Sequence, residues 1–270
     1  MSEKLVLTEK KGKIGYLIFN RPDKLNAFNQ ELLVQFDEAM EQFRKDDGIS
    51  VVIIKGNGRA FSVGYDVGVD NPDRQTSASS VIADRDVLEG YTRRWMGVFD
   101  FPKIVIAQVH GYCLAGGSQL ASCCDIVIAA EDAQFGFPSL PLGGGYVGPM
   151  WVWHVGIQRA KLMDLTAGSR ISGKVAEDWG FVAKTFPADK LEEETLKIAR
   201  GIAKTPADIL RLKKVALNRV LEIQGYRTMQ MFLHEQDAII HTSDGVNLTV
   251  QKIKELGVKG AVEWFNNQEV

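Results

Sequence analysis

The sequence predicts an α/β fold followed by a helical C-terminal region, and three observations support this prediction. Four short runs rich in valine and isoleucine recur in the first half of the chain. A helical pattern lies between the first two runs, which is the alternation typical of an α/β protein with buried strands. From residue 191 onward the whole pattern is helical. The four apolar runs are Ile14–Phe19, 51–54, Ile104–Val109 and 126–129.

The first predicted helix lies between the first two strands. Asn29 is a good N-cap, because its side chain can accept a hydrogen bond from a backbone N–H of the first turn. Apolar residues then recur at the spacing of one helix face. These residues are Leu32, Leu33, Phe36, Met40 and Phe43.

The segment 68–94 is polar and has few core residues before Val81. Loops of this length are uncommon unless they are functional or disordered. We therefore interpret the segment as a mobile loop that leads into a helix. Its acidic residues Asp84, Asp86 and Glu89 are interpreted as solvated charges.

The C-terminal region contains four predicted helices, separated by Pro206, Gly225 and Gly245. We expect the chain to divide into a core of residues 1–190 and a helical oligomerisation region of residues 191–270. The predicted helices are 191–204, 206–223, 226–241 and 246–256.

The composition is that of a globular protein with a small net charge. Hydrophobic residues make up 45% of the 270 residues, charged residues 24%, and the net charge is −2. Nothing here favours nucleic acid or an anionic membrane as a partner. No apolar run reaches the roughly 18 residues that a membrane span needs. Three cysteines without metal or disulfide spacing predict a reducing, cytoplasmic compartment and no metal site.

Two segments have the pattern of an oxyanion-binding site. In 111–125, a strand ends in the small residues LAGG before a helix, so that Gly116 would present its N–H at the helix start. Unpaired N–H groups and the helix dipole favour an anion at that position. In 56–66, the second strand is again followed by small residues. Two such backbone donors could stabilise an oxyanion.

Five motifs in these and neighbouring segments resemble the enoyl-CoA hydratase/isomerase (crotonase) superfamily. They follow one another in the family's order and spacing from about residue 7 to residue 186. The motifs are NRPDKLNAF, GRAFSVGYDV, HGYCLAGGSQLASCCDIVIA, AQFGFPSLPLG and LTAGSRISGKVAEDWGFVAK.

This resemblance implies a crotonase-like spiral of ββα turns with a C-terminal helical trimerisation region, assembled as a homotrimer or a dimer of trimers. It implies an acyl-CoA or enoyl-CoA substrate, with coenzyme A as part of the substrate and no separate cofactor. The N–H groups of Ser62 and Gly116 would form the oxyanion hole, and we favour a structural role for Asp66. The implied substrate-binding and CoA-binding residues are Lys24, Leu25, Ala60, Ser62, Val63, Gly64, Tyr65, Asp66 and Gly116.

The sequence departs from the resemblance at two positions. Gln119 and Ser139 stand where hydratases of the family carry their two glutamates. An amide does not exchange protons as a carboxylate does, and a serine hydroxyl is a poor base unless it is assisted. Tyr146 and Tyr65 stand where a decarboxylase subgroup has a tyrosine and a histidine. Tyr146 is therefore a further catalytic candidate, beside Ser62, Gly116, Gln119 and Ser139.

Three functions follow from this pattern. The first is an enoyl-CoA hydratase-like lyase or isomerase with a non-standard acid/base. The second is an acyl-CoA decarboxylase or hydrolase of the same fold, because enolate stabilisation alone would serve decarboxylation. The third is a non-catalytic acyl-CoA-binding protein. We favour the first of these hypotheses.

Overall fold

The core of the protein is a six-stranded sheet in which all neighbouring pairs except the first are parallel. A computed structural model describes residues 4–68, 80–143 and 147–268. The described strands are β1 Val6–Lys11, β2 Ile14–Phe19, β3 Val51–Gly56, β4 Ala60–Ser62, β5 Ile104–Val109, β6 Tyr112–Leu114, β7 Ile126–Ala130, β8 Gln134–Gly136, β9 Arg170–Ser172 and β10 Lys184–Phe186. The strand order of the six-stranded sheet is β1-β2-β3-β5-β7-β10, and within it only β1 and β2 pair antiparallel.

A second, four-stranded sheet lies beside the first, in the order β4-β6-β8-β9. Three long strands of the first sheet are each followed by a short strand of the second: β3 by β4, β5 by β6 and β7 by β8. One helix follows each of the first two pairs before the chain returns to the first sheet, and the third pair is followed by two helices, β9 and a further helix before β10. The chain therefore winds as a spiral of ββα turns, as the resemblance implied.

Helices pack against strands of both sheets. The first begins at the predicted cap, where the Asn29 side chain accepts a hydrogen bond from the Leu32 N–H at 3.0 Å. The described helices are α1 Gln30–Lys45, α2 Val81–Phe99, α3 Gly116–Cys123, α4 Gly148–Val155, α5 Ile157–Leu165, α6 Gly173–Trp179, α7 Leu191–Ile202, α8 Ala207–Ile223, α9 Tyr226–Ile240 and α10 Asp244–Asn266.

The four predicted C-terminal helices are confirmed, but the last one is longer than predicted. It continues to Asn266 through a break at Gly257, whose φ of 71° is outside the helical range. The segment 68–94 does lead into a helix, α2, and residues 69–79 of the predicted loop lie outside the described residues. The division at residue 190 stays a prediction, although α7 does begin at Leu191.

Several strands are missed by the sequence pattern for two different reasons. The outer face of β1 is polar and exposed, because it is the edge of the sheet, so its sequence VLTEKK shows little apolar pattern. The strands of the second sheet have only three residues each, which is too short for a periodicity of two to be visible. By contrast, all residues of β2 and β5 are buried, so these strands read as continuous apolar runs.

One contiguous core fills the space between the first sheet and its helices. It contains the buried aromatic residues Tyr16, Trp95, Trp151 and Tyr226. Among the described helices, none has both the length and the apolar character needed to cross a membrane.

Candidate active site

The second sheet brings the two candidate oxyanion donors together. Strand β4 ends at Ser62 and pairs in parallel with β6, which leads into α3 at Gly116. A methyl group on Gly64 would lie 2.7 Å from the Gly116 nitrogen, and one on Gly117 would collide with the Ser62 carbonyl. These contacts require glycine, because real Cβ atoms do not approach backbone atoms so closely.

The start of α3 leaves the Gly116 N–H in the first helical turn. First-turn N–H groups have no partner within their own helix, and the helix dipole favours an anion beside them. The preceding residue, Ala115, has a φ of 47°, a conformation that non-glycine residues rarely adopt. Its carbonyl accepts hydrogen bonds from the Gln119 N–H at 3.0 Å and from the Ser118 hydroxyl at 2.8 Å, which hold this turn in place.

Asn26 holds the Ser62 loop and was missed in the sequence. It is fully buried, and its side-chain amide donates to the carbonyl oxygens of Asn57 at 2.9 Å and Ala60 at 2.7 Å. The Ser62 hydroxyl donates to the Asn26 carbonyl at 2.8 Å and accepts from the Gly64 N–H at 3.1 Å. The only signal in the sequence was the presence of an asparagine in the first of the five motifs. In the structure, Asn26 adopts a left-handed backbone conformation with φ 55°.

A chain of buried hydrogen bonds links Gln119 to Tyr65. The Trp95 indole N–H can only donate, and it lies 2.7 Å from the Tyr65 hydroxyl. The hydroxyl in turn donates to Gln119 Oε1 at 3.1 Å. Gln119 is 1% exposed, and its Nε2 has no hydrogen-bond partner among the described residues. The amide is thus a buried donor that a bound molecule could use.

The Tyr65 ring separates this group from a cavity of about 560 Å³. A methyl group on Gly116 would lie 2.7 Å from the ring, which shows how closely the ring covers the start of α3. Tyr65 also packs against Tyr91 with ring centroids 4.6 Å apart, and both tyrosines line the cavity. Helices α9 and α10 of the same chain form much of its opposite wall. The lining also includes Phe28, Leu142, Ala238, His241, Val250 and Lys254.

A family model described as enoyl-CoA hydratase/isomerase matches residues 9–254. The chain belongs to the enoyl-CoA hydratase/isomerase family. It is 32% identical to a protein of Dictyostelium discoideum named probable enoyl-CoA hydratase, mitochondrial, over 91% of this chain and 87% of that one. A probable enoyl-CoA hydratase of Rhizobium meliloti is 31% identical, over 94% and 98% of the two chains.

The fold agrees with this assignment to the enoyl-CoA hydratase/isomerase family. The structure of an enoyl-CoA hydratase/isomerase from Xanthobacter autotrophicus matches with a TM-score of 0.91 and 32% identity and covers all of both chains. The protein is therefore an enzyme of the hydratase/isomerase family with the crotonase fold.

Ser139 and Gln119 make hydrogen bonds in different parts of this family fold. The Ser139 hydroxyl lies 3.4 Å from Arg170 Nη2 and packs against Gly168, whereas Gln119 bonds to Tyr65. Tyr146, the third candidate for proton transfer, lies outside the described residues.

The predicted CoA-binding residues surround the Ser62 loop. Lys24 ends an exposed turn of 3-10 helix, and the following Leu25 accepts a hydrogen bond from the Val63 N–H at 3.3 Å. Asp66 pairs with Arg21 at 2.6 Å and accepts from the Gly68 N–H at 3.0 Å, which agrees with a structural role in the turn.

The interpretation of Asp84 as a solvated charge is wrong. Asp84 is 5% exposed, lines the cavity, and lies with Oδ2 2.6 Å from His241 Nδ1. Burial disfavours a charged His241, but the Asp84 hydrogen bond and the charges of Asp237 and Asp84 outweigh it and raise the pKa of His241. The sequence could not show this contact, because Asp84 lies on α2 and His241 follows α9.

His154 and the three cysteines are not suited to acid/base catalysis near neutral pH. Burial lowers the pKa of His154 to about 4, and its ring packs against Phe181. Burial also raises the pKa of Cys123 to about 12 and raises the pKa of Cys113 and Cys124. Within the described stretches, no group of three His, Cys, Asp or Glu side chains is placed to hold a metal ion.

Proposed function

We propose that the protein acts on an acyl-CoA or enoyl-CoA thioester as a hydratase-like lyase or isomerase. The carbonyl oxygen of the thioester would accept hydrogen bonds from the N–H groups of Ser62 and Gly116, which would stabilise an enolate. The observation that carries this proposal is the close packing of the Gly64 and Gly116 backbones at the start of α3. Each preorganised donor of this kind typically raises kcat by a factor of about 10²–10³.

The acid/base of the reaction would be non-standard, because the sequence resemblance puts Gln119 and Ser139 at the family's two glutamate positions. Gln119 could still orient a water or the acyl group through its buried Nε2. The cavity beyond Tyr65 has a volume of about 560 Å³, which is within the usual range for a small-molecule site. Its aromatic wall would suit a branched or ring-bearing acyl group.

The direct test is mass spectrometry of the purified protein with a panel of enoyl-, β-keto- and malonyl-type CoA thioesters in H₂¹⁸O. Hydration would add one labelled water and leave the thioester intact. Retention of thioesters through gel filtration without any conversion would contradict an enzymatic role.

A glycine substitution tests the oxyanion hole itself. We expect Gly117→Ala to displace the Ser62 carbonyl and lower kcat by about 10²-fold or more. The matched control is Gly97→Ala, because a methyl group there meets no atom within 4 Å. Equal rates for the two variants would contradict this placement of the oxyanion hole.

The alternative is decarboxylation or hydrolysis of an acyl-CoA. It is favoured by the amide of Gln119, since enolate formation by loss of CO₂ needs no base at that position. Loss of CO₂ from a malonyl-type thioester, or release of ¹⁸O-labelled acid, in the same experiment would select this alternative over hydration.

A further inference from the structure

One carboxylate of the cavity has an oxygen that no described residue binds. Asp84 Oδ2 is bound by His241, but Asp84 Oδ1 is buried and has no hydrogen-bond partner within the described part of the chain. A buried carboxylate oxygen without a partner costs free energy, so such groups in proteins need an explanation. Because Asp84 is one of the residues that line the cavity, its carboxylate lies at the wall of the space that a bound molecule would fill.

The position of Asp84 relates it to the proposed thioester site. Tyr65 covers the start of α3 on one side and lines the cavity with Asp84 on the other. Tyr65 is therefore the wall that the start of α3 shares with the cavity that Asp84 lines. His241 lies against the loop that follows Ser139, since a methyl group on Gly143 would be 2.7 Å from its Nε2.

The carboxylate is also held in a defined orientation. His241 binds one oxygen at 2.6 Å from the end of α9, while Asp84 itself stands in the first turn of α2. The side chain of Asp237 faces His241 Nε2 at 3.8 Å, and Lys254 and Tyr91 line the same cavity. Two carboxylates beside one imidazole keep the ring in place, and His241 contacts Asp84 through Oδ2.

We propose that Asp84 is the carboxylate that exchanges protons with the substrate and that His241 is the positioning residue that orients it. This inference rests on the proposed function and supplies the acid/base that Gln119 and Ser139 cannot provide. One carboxylate is sufficient for a general acid/base when the same proton is taken up and then returned.

The proton balance for hydration follows directly. Asp84 accepts one proton from water as the water oxygen bonds to the β-carbon, and the π electrons move to the thioester oxygen. The protonated Asp84 then returns that proton to the α-carbon as the carbonyl re-forms. The net change is the addition of one water, and the carboxylate is regenerated.

The test compares Asp84→Asn with Asp86→Asn in the full-length protein. The first variant keeps the shape of the side chain and an oxygen for His241, and the second removes an exposed charge from the same helix. The turnover probe is the panel thioester that the wild type converts fastest, and the binding probe is coenzyme A. We expect Asp84→Asn to lower kcat by about 10²–10⁴-fold with coenzyme A affinity unchanged, and Asp86→Asn to change neither.

Each other outcome contradicts a distinct claim. Turnover of Asp84→Asn within about threefold of the wild type overturns the role of Asp84 and leaves the proposed function in place. A wild type that binds coenzyme A but converts no thioester overturns both the catalytic carboxylate and the enzymatic reaction. A wild type that does not bind coenzyme A overturns the proposed substrate class as well.

Two variants with and without an N–H donor test the role of His241. His241→Asn retains an N–H donor, whereas His241→Phe fills the space without one. If His241 orients Asp84, kcat falls about 10²-fold in His241→Phe and is largely kept in His241→Asn, with KM similar in both. Equal kcat values for the two variants would overturn the positioning role.

Discussion

At the scale of single residues, the site depends on buried polar groups whose partners are other side chains. The Tyr65 hydroxyl is the clearest case, because it accepts from Trp95 and donates to Gln119. Trp95 and Gln119 are both buried, so neither can turn to water if the hydroxyl is lost.

Tyr65→Phe is therefore expected to destabilise the protein. The change leaves the Trp95 N–H and the Gln119 carbonyl without this partner in a buried place, which costs about 1–3 kcal/mol. Urea unfolding measures the effect as a lower free energy of unfolding. A change within about 0.5 kcal/mol, typical of an exposed site, would contradict the hydrogen-bonded chain.

The Asp84–His241 pair predicts a pH dependence of stability. The pKa of His241 is raised above 6.5 in the folded protein. The contribution of this histidine to the free energy of unfolding is therefore full below pH 6.5 and is lost as pH rises through the folded-state pKa. NMR titration of the imidazole should show the raised pKa and its decrease in Asp84→Asn. The free energy of unfolding of the wild type and of His241→Asn, measured at acid and at alkaline pH, isolates the contribution of this histidine to stability. An imidazole pKa at or below 6.5 would show that the pair is not charged.

At the scale of elements, helix α8 is tied to the first sheet by a buried ion pair. Lys214 Nζ lies 2.7 Å from Asp125 Oδ2, and Asp125 also accepts from the Val105 N–H at 2.7 Å. Burial raises the pKa of Asp125 despite the Lys214 charge that lowers it. The pair connects residues that are far apart in the sequence and positions α8 against the end of β5.

Removal of one partner of this pair should be costly. Lys214→Met leaves the Asp125 carboxylate buried without its cation, which typically costs about 3–5 kcal/mol. Lys213→Met is the matched control, because the neighbouring lysine is exposed. Chemical unfolding of both variants measures the difference. Similar stabilities for the two variants would show that the pair contributes little.

At the scale of the whole molecule, α8 has an apolar outer face opposite Lys214. Leu212 is 70% exposed and Ile223 is 87% exposed, and both lie on one side of the helix with Val220. A contiguous apolar face of this kind is expected to be covered by another surface. We propose that a second copy of the chain covers it in a trimer or a dimer of trimers.

Sedimentation velocity can test this assembly. We expect wild type to sediment as a trimer or hexamer and Leu212→Glu to shift towards the monomer, because a charge on the apolar face must be desolvated in the interface. Arg211→Glu on the same helix is the matched control, because Arg211 is exposed and lies about 100° or more around the helix axis from that face, so this variant should leave the assembly intact. A monomeric wild type would contradict the proposed interface.

The sequence by itself determined the features that depend on neighbours in the chain. Buried strands such as β2 and β5 read as apolar runs, and Asn29 marks the start of α1 through a contact only three residues away. The glycines around Gly116 were recognised for the same reason, because a helix start and a tight turn have local signals.

The tertiary structure alone decided how the polar groups of the site are partnered. Asn26 reaches Ala60 across 34 residues, and His241 reaches Asp84 across 157 residues. A charged residue in a polar segment has the same local pattern whether it is solvated or buried. Only the packing of α9 against α2 removes Asp84 from water at the wall of the cavity, and no pattern of nearby residues encodes that packing.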